Sequence, residues 1–308
     1  MKKLLFLLAT LLCGFATTYA QTENETDFNP EMFQGQFGGN PRRPDGMRRH
    51  QGMRGRGDRP MRNSMRRRVP VQIDSARVAP FMKMEMPIED QVVRYRAAVN
   101  WNADGNPLAL VVYLHGNSGS GDDNLSQMGH EAIYSIYDYL KAKHFNAVLV
   151  VPQCPEDFSW AGVTGRDGEV RAKPFNPYVK ALIDSCVTAM GIDRSRIYLL
   201  GASMGAQGVW KMLEDNPDTF AAAFCASGSG RDLSIKNLEK TPVYITRGSE
   251  ERDRRGEGIS ELAAKINENG GEAKFELLEG MNHHQATREA FTEERLQWVF
   301  SHVRAAGK

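Results

Sequence analysis

The stretch Arg196-Ile197-Tyr198-Leu199-Leu200-Gly201-Ala202-Ser203-Met204-Gly205-Ala206-Gln207-Gly208-Val209-Trp210 decides the reading of this chain. Its first half is a short continuous apolar run, the pattern of a strand buried on both faces. Residues 204–214 have helical spacing instead. Between the two, Gly-Ala-Ser-Met-Gly puts a serine where a strand turns sharply into a helix. The residues two before and two after it must then be small, because strand and helix backbones approach too closely for side chains. The turn lifts the serine oxygen above the strand end. It also offers the next N–H, that of Met204, from the positive end of a helix. Ser203 is the candidate nucleophile.

Working outward, strands are predicted at 92–100, 108–114, 147–151, 196–200, 221–226, 243–246 and 273–278. Helices are predicted at 131–143, 177–190, 204–214, 258–268 and 295–303. The alternation argues for one α/β domain over residues 71–308, a mostly parallel sheet with helices on both faces. Residues 156–176 form a long, polar connection expected to border a pocket. Trp160 within it either stacks on an aromatic or sugar ring of a ligand or packs into the core.

A serine on such a turn belongs to the α/β-hydrolase fold, where the chain order is Ser, acid, His and the second oxyanion donor follows a His-Gly pair. Leu114-His115-Gly116-Asn117 ends the predicted strand 108–114, so the Asn117 and Met204 N–H groups are the expected oxyanion hole. His115 reads as a prop for that loop. Gly119 and Gly121 make the loop glycine-rich, but it lacks the lysine of a phosphate-binding loop. The base is expected after the last strand, in Glu279-Gly280-Met281-Asn282-His283-His284. The spacing favours His283, with His284 the alternative. The acid is expected after the strand 243–246, in Arg247-Gly248-Ser249-Glu250-Glu251-Arg252-Asp253. A carboxylate three residues past Gly248 is Glu251, with Asp253 and Glu250 as alternatives. His130, His144 and His302 are read on predicted helices as surface or packing residues.

The chain has 308 residues, 41% hydrophobic and 25% charged, an ordinary globular composition that excludes fibrous, coiled-coil and polytopic membrane classes. Lys2 and Lys3 precede an apolar run over 4–16 and then Thr18-Tyr19-Ala20. This reads as a secretory signal peptide over residues 1–20, making the mature protein exported, periplasmic or secreted, with no membrane span. Residues 21–70 lack apolar periodicity and read as a disordered Arg/Gly/Met-rich segment. Eleven arginines against Asp45 and Asp58 make 41–70 strongly basic. The plainest reading is a solvated linker. Weak contact of residues 41–68 with anionic surfaces is a second, and soft-metal capture by Met47, His50, Met53, Met61 and Met65 a third. The body after it is weakly acidic, which argues against nucleic acid as a partner. Cys154, Cys186 and Cys225 read as buried free thiols, since a chain this long builds its own core.

These blocks resemble α/β-hydrolase esterases of the poly(3-hydroxybutyrate) depolymerase and feruloyl-esterase type, over roughly residues 90–303. The resemblance is carried by Leu114-His115-Gly116 with Gly121-Asp122-Asp123-Asn124, by Val151-Pro152-Gln153-Cys154-Pro155 with Trp160, by Asp193, and by the long run ending at Trp210. Where that family commonly has His-Gly-x-x-Asp, this chain has Arg247-Gly248-Ser249-Glu250-Glu251. The resemblance implies serine esterase chemistry with no cofactor and no metal. It implies a small-molecule or polysaccharide-linked ester as substrate, with a serine peptidase or a binding protein with a degenerate triad as alternatives.

Overall fold

Four runs of consecutive apolar residues fix the middle of the structure, a computed structural model describing residues 73–228, 235–251 and 258–305. They are β3 (Ala109–Leu114), β4 (Ala147–Pro152), β8 (Ile197–Ala202) and β9 (Ala222–Ala226), and every residue in each is buried. Such strands must be covered on both faces, which requires helical crossovers and favours parallel pairing. On one side β9 is followed by β10 (Val243–Gly248) and β11 (Ala273–Leu278), both parallel. On the other side β1 (Met82–Ile88) and β2 (Gln91–Asn100) form an antiparallel hairpin, and β2 runs antiparallel to β4. The order across the eight strands is β1-β2-β4-β3-β8-β9-β10-β11.

The helices are a short turn α1 (Ser75–Val78), α2 (Glu131–Ala142), α3 (Asn176–Met190), α4 (Met204–Asp215), α5 (Ile259–Glu268), α6 (His283–Glu289) and α7 (Glu293–Ser301). One sheet face packs Leu110, Val112 and Leu199 against Leu182 of α3, Trp210 of α4 and Ile266 of α5. The opposite face packs Val111, Tyr198 and Phe224 against Ile136 of α2 and Phe300 of α7. Fully burying one such side chain contributes roughly 1.5–3 kcal/mol. The three cysteines 154, 186 and 225 are free and buried. Burial pushes the thiols of Cys154 and Cys186 up to about 12, so neither is a nucleophile near neutral pH.

The structure adds elements that periodicity did not predict. β1 reads Met-Lys-Met-Glu-Met-Pro-Ile, and its alternate residues Met84, Met86 and Ile88 pack against the core. Between β4 and α3 lies a separate three-stranded sheet of β5 (Phe158–Ser159), β6 (Val163–Thr164) and β7 (Val170–Pro174), ordered β5-β7-β6. The candidate base sits at the start of a helix, α6, rather than in a loop. The expected signal peptide (1–20) and arginine-rich segment (21–70) lie outside the described residues. No helix among the described residues is long and apolar enough to cross a membrane.

Candidate active site

The turn at Ser203 takes the shape its flanking glycines demand. Ser203 has φ 56° and ψ −117°, a strained conformation for a residue with a side chain, costing on the order of 1–3 kcal/mol. Its N–H donates to Ala226 O at 2.9 Å, which pins the turn to β9. A Cβ at position 201 would lie 2.6 Å from the Gly205 backbone, and one at 205 would run into the Leu114 carbonyl. Only glycine fits at either position, so the elbow of α4 packs directly onto the end of β3.

Ser203, His283 and Glu251 form one hydrogen-bonded row. His283 Nε2 lies 2.9 Å from Ser203 Oγ, and His283 Nδ1 lies 2.9 Å from Glu251 Oε2. A carboxylate only accepts, so the imidazole proton sits on Nδ1 and Nε2 is left to accept from the serine hydroxyl. The other Glu251 oxygen accepts the Gly248 N–H at 2.8 Å. The Glu251 side chain is 5% exposed and that of His283 46%. Burial pushes the Glu251 carboxyl up, but hydrogen bonds, led by the one to His283, hold it below its ordinary value. It is therefore ionised at neutral pH and suited to stabilise an imidazolium.

α6 carries His283 on its first turn. Asn282 accepts the Gln285 N–H at 3.1 Å, and Gln285 returns a bond to the Asn282 N–H at 3.0 Å. This reciprocal cap starts a short polar helix that has little apolar face to hold it. The acid loop is tied to the same segment, since the Glu250 N–H donates to Met281 O at 3.0 Å. Of the alternatives, Glu250 makes that backbone bond and does not line the cleft. His284 does not line it either. Asp253 lies outside the described residues.

Asn117 begins a 3-10 turn, Asn117–Gly119, and Met204 begins α4. The first N–H groups of helical turns have no acceptor within their own turn. Both residues line an open cleft of about 410 Å³ together with Ser203, Gln207 and His283. The arrangement can place an oxyanion between two backbone donors while the serine oxygen attacks.

The family-like blocks around this cleft turn out to be scaffolding. Gln153 is 1% exposed. Its Oε1 accepts the Asn124 N–H at 2.6 Å, and its Nε2 donates to Asp123 at 2.7 Å and to Gly119 O at 3.3 Å. His115 is buried: its Nδ1–H donates to Gly116 O at 2.7 Å, and its Nε2 accepts the Cys154 N–H at 3.0 Å. The prop expected at His115 therefore joins the loop after β3 to the loop after β4. Trp160 is fully buried and donates from Nε1 to His115 O at 2.8 Å. It packs in the core and presents no face for a ligand to stack on. Sequence reasoning gave no physical role to Gln153, and its place in Pro-Gln-Cys-Pro was the only signal. It also did not single out Phe158, Val163, Ala172 and Gln207, which line the cleft.

His130 lies beside the end of β3, its Nδ1 2.7 Å from the Tyr113 hydroxyl. Burial, then the neighbouring charge of His284, push it down to about 4. Among the described residues no group of three or more His, Cys, Asp or Glu side chains is placed to hold a metal ion.

No family model matches the chain, and no curated protein matches it. Solved structures do. The chain is similar to a thermostable esterase, with TM-score 0.66 and 24% identity over 74% of this chain. It spans 64% of that protein's length. It is similar to an S-formylglutathione hydrolase from Agrobacterium tumefaciens, with TM-score 0.53 and 16% identity over 73% of this chain and 96% of the other. It is also similar to the siderophore hydrolase EstA from Aspergillus nidulans, with TM-score 0.53 and 12% identity over 72% of this chain and 94% of the other. With the strand order above, these likenesses establish an α/β-hydrolase fold.

Proposed function

We propose that this protein is an exported serine hydrolase that cleaves a carboxylic ester. The observation that carries the reading is the unbroken row Ser203–His283–Glu251, with 2.9 Å at each of its two joints. In the proposed reaction Ser203 Oγ attacks the acyl carbon as His283 Nε2 takes its proton. The Asn117 and Met204 N–H groups receive the oxyanion. His283 then protonates the leaving alcohol, and water, activated by the same histidine, releases the acid from the acyl-enzyme. Glu251 holds the imidazole in the right tautomer throughout.

The resemblance to feruloyl-type esterases adds a feruloyl or acetyl ester on a polysaccharide as the substrate to try first, with export through residues 1–20. Residues 41–68 would add weak contact with anionic surfaces. The test is reaction of the protein with a fluorophosphonate, the adduct being located by mass spectrometry with Ser203→Ala as control. Labelling at Ser203 is expected. A folded protein that takes no label would overturn the reading in favour of a binding protein. Ester and amide substrates sharing one acyl group separate an esterase from a peptidase.

A further inference from the structure

The functional loops follow the strand order, and that order separates the two ends of an ester. Along the carboxyl edge of the sheet the sequence of attachments is β4, β3, β8, β9, β10, β11. The loop after β3 carries Asn117, the turn after β8 carries Ser203, the loop after β10 carries Glu251, and the turn after β11 leads to His283. The small sheet β5–β7 hangs from β4. It therefore starts on the opposite side of the nucleophile from the base, two strand spacings or about 10 Å from β8. A leaving alcohol must sit within hydrogen-bond reach of His283 Nε2 to take its proton. The acyl group, held by the oxyanion donors, is then directed away from His283, under the small sheet.

We propose that the β5–β7 sheet is the acyl-binding wall and that the pair Val163–Ala172 sets the size of the acyl group accepted. This rests on the hydrolase reading above. Val163 and Ala172 are directly paired across antiparallel β6 and β7, so their side chains stand on one face. Both line the cleft that holds Ser203. Val163 is 44% exposed, a large apolar side chain that the protein itself does not cover. Phe158, in β5, continues the wall and is anchored from behind by Phe175, at 5.3 Å between ring centroids, and Tyr178, at 6.1 Å. Alanine at 172 leaves space that a larger residue would fill. The wall is apolar at Phe158, Val163 and Ala172, with Ser159 and Glu156 beside them, which suits an acyl group with an apolar or aromatic body and disfavours one that carries a second carboxylate.

The experiment uses the full chain and two series of probes. One is p-nitrophenyl esters from acetate to octanoate, and the other is acetate esters of alcohols of increasing size. In Ala172→Phe the ratio of kcat/KM for octanoate over acetate is expected to fall tenfold or more, since each methylene excluded is worth about tenfold or more in a fitted pocket. In Val163→Ala, a milder change at an exposed position, the same ratio is expected to rise several-fold. The alcohol series should keep its wild-type ranking in both variants. Unaltered acyl ratios in both, with Ser203 still labelled by a fluorophosphonate, would overturn this inference and leave the hydrolase reading standing. A shift confined to the alcohol series would overturn it as well. A wild-type protein that neither takes label nor hydrolyses any ester would remove both readings together.

Discussion

The two sides of the cleft are built differently. On the side of Asn117, the proposed oxyanion side, the loop over residues 115–124 is tied to the loop after β4 by buried side chains. Gln153 alone bonds Gly119, Asp123 and Asn124, and His115 holds the Cys154 N–H. On the side of the proposed acid and base, His283 is nearly half exposed and rides on the first turn of a seven-residue helix that starts at the Asn282–Gln285 cap and buries only Ala286 and Thr287. In the proposed reaction the difference has a physical sense. Oxyanion donors help only if they are already in place when charge develops, so they gain from a stiff surround. A base must take a proton from one oxygen and deliver it to another, so it gains less from being locked.

The sharpest break of this contrast is a change that removes chemistry and leaves stability alone. His283→Ala should lower kcat on an ester by roughly 10⁵-fold or more, with the thermal midpoint nearly unchanged. His284→Ala should cost less than about threefold, and an equal loss in both would undo the assignment of the base. Glu251→Gln keeps the shape of the row but removes the charge that fixes the tautomer. A kcat loss of about 10⁴-fold is expected there, and near-wild-type activity would move the acid elsewhere.

A change on the oxyanion side should do the opposite. Gln153→Leu strands the buried Asn124 N–H and frees the Asp123 carboxylate of a partner. Leaving the buried Asn124 donor unsatisfied costs about 1–3 kcal/mol, while the exposed Asp123 keeps its bonds to Leu125 and Ser126, so the thermal midpoint should drop clearly. The loss in kcat should stay within about 10²-fold, because the Asn117 N–H is displaced rather than removed. A stable variant with a large kcat loss would mean that Gln153 does not hold the loop.

The smallest effect concerns pH. His130, against Tyr113, is depressed from 6.5 to about 4, so the unfolded chain binds its proton first as pH falls. Its contribution to stability is complete above pH 6.5 and is lost progressively as pH falls from 6.5 to about 4. Glu251, held below 4.5, keeps its contribution until the pH drops under that value. The fall of the thermal midpoint with pH between 6.5 and about 4 should be shallower in His130→Gln than in wild type. Identical slopes would exclude His130.

Much of this was legible in the chain because hard sterics wrote it. Gly201 and Gly205 are forced by backbone contact, and the central strands are forced by burial on both faces, so both show as local pattern. The spacing behind Gly248 favoured Glu251 and the Glu-Gly-x-x-His spacing favoured His283, but spacing alone left Glu250, Asp253 and His284 open, because which side chain reaches Ser203 or His283 depends on tertiary distances. β6 and β7 were not legible, because strands of two and five residues, all exposed but Ala172, carry no apolar period and owe their existence to pairing. β1 was obscured by methionines and Pro87, which weaken a strand signal. α6 has a polar sequence, and its one local mark was the cap formed by Asn282 and Gln285.

His283 stands 80 residues beyond Ser203, and Glu251 32 residues before His283. No segment of the chain therefore holds the row by itself. As a chain emerges from its amino end, β3, β8 and the elbow can find one another early, whereas the row closes only when β11 has joined the sheet and α6 has formed. Long-range closures of this kind come late and slowly. Hydrolysis would thus be the last property acquired in folding and the first lost when the carboxyl-terminal strand peels away. A partly folded chain would be chemically silent.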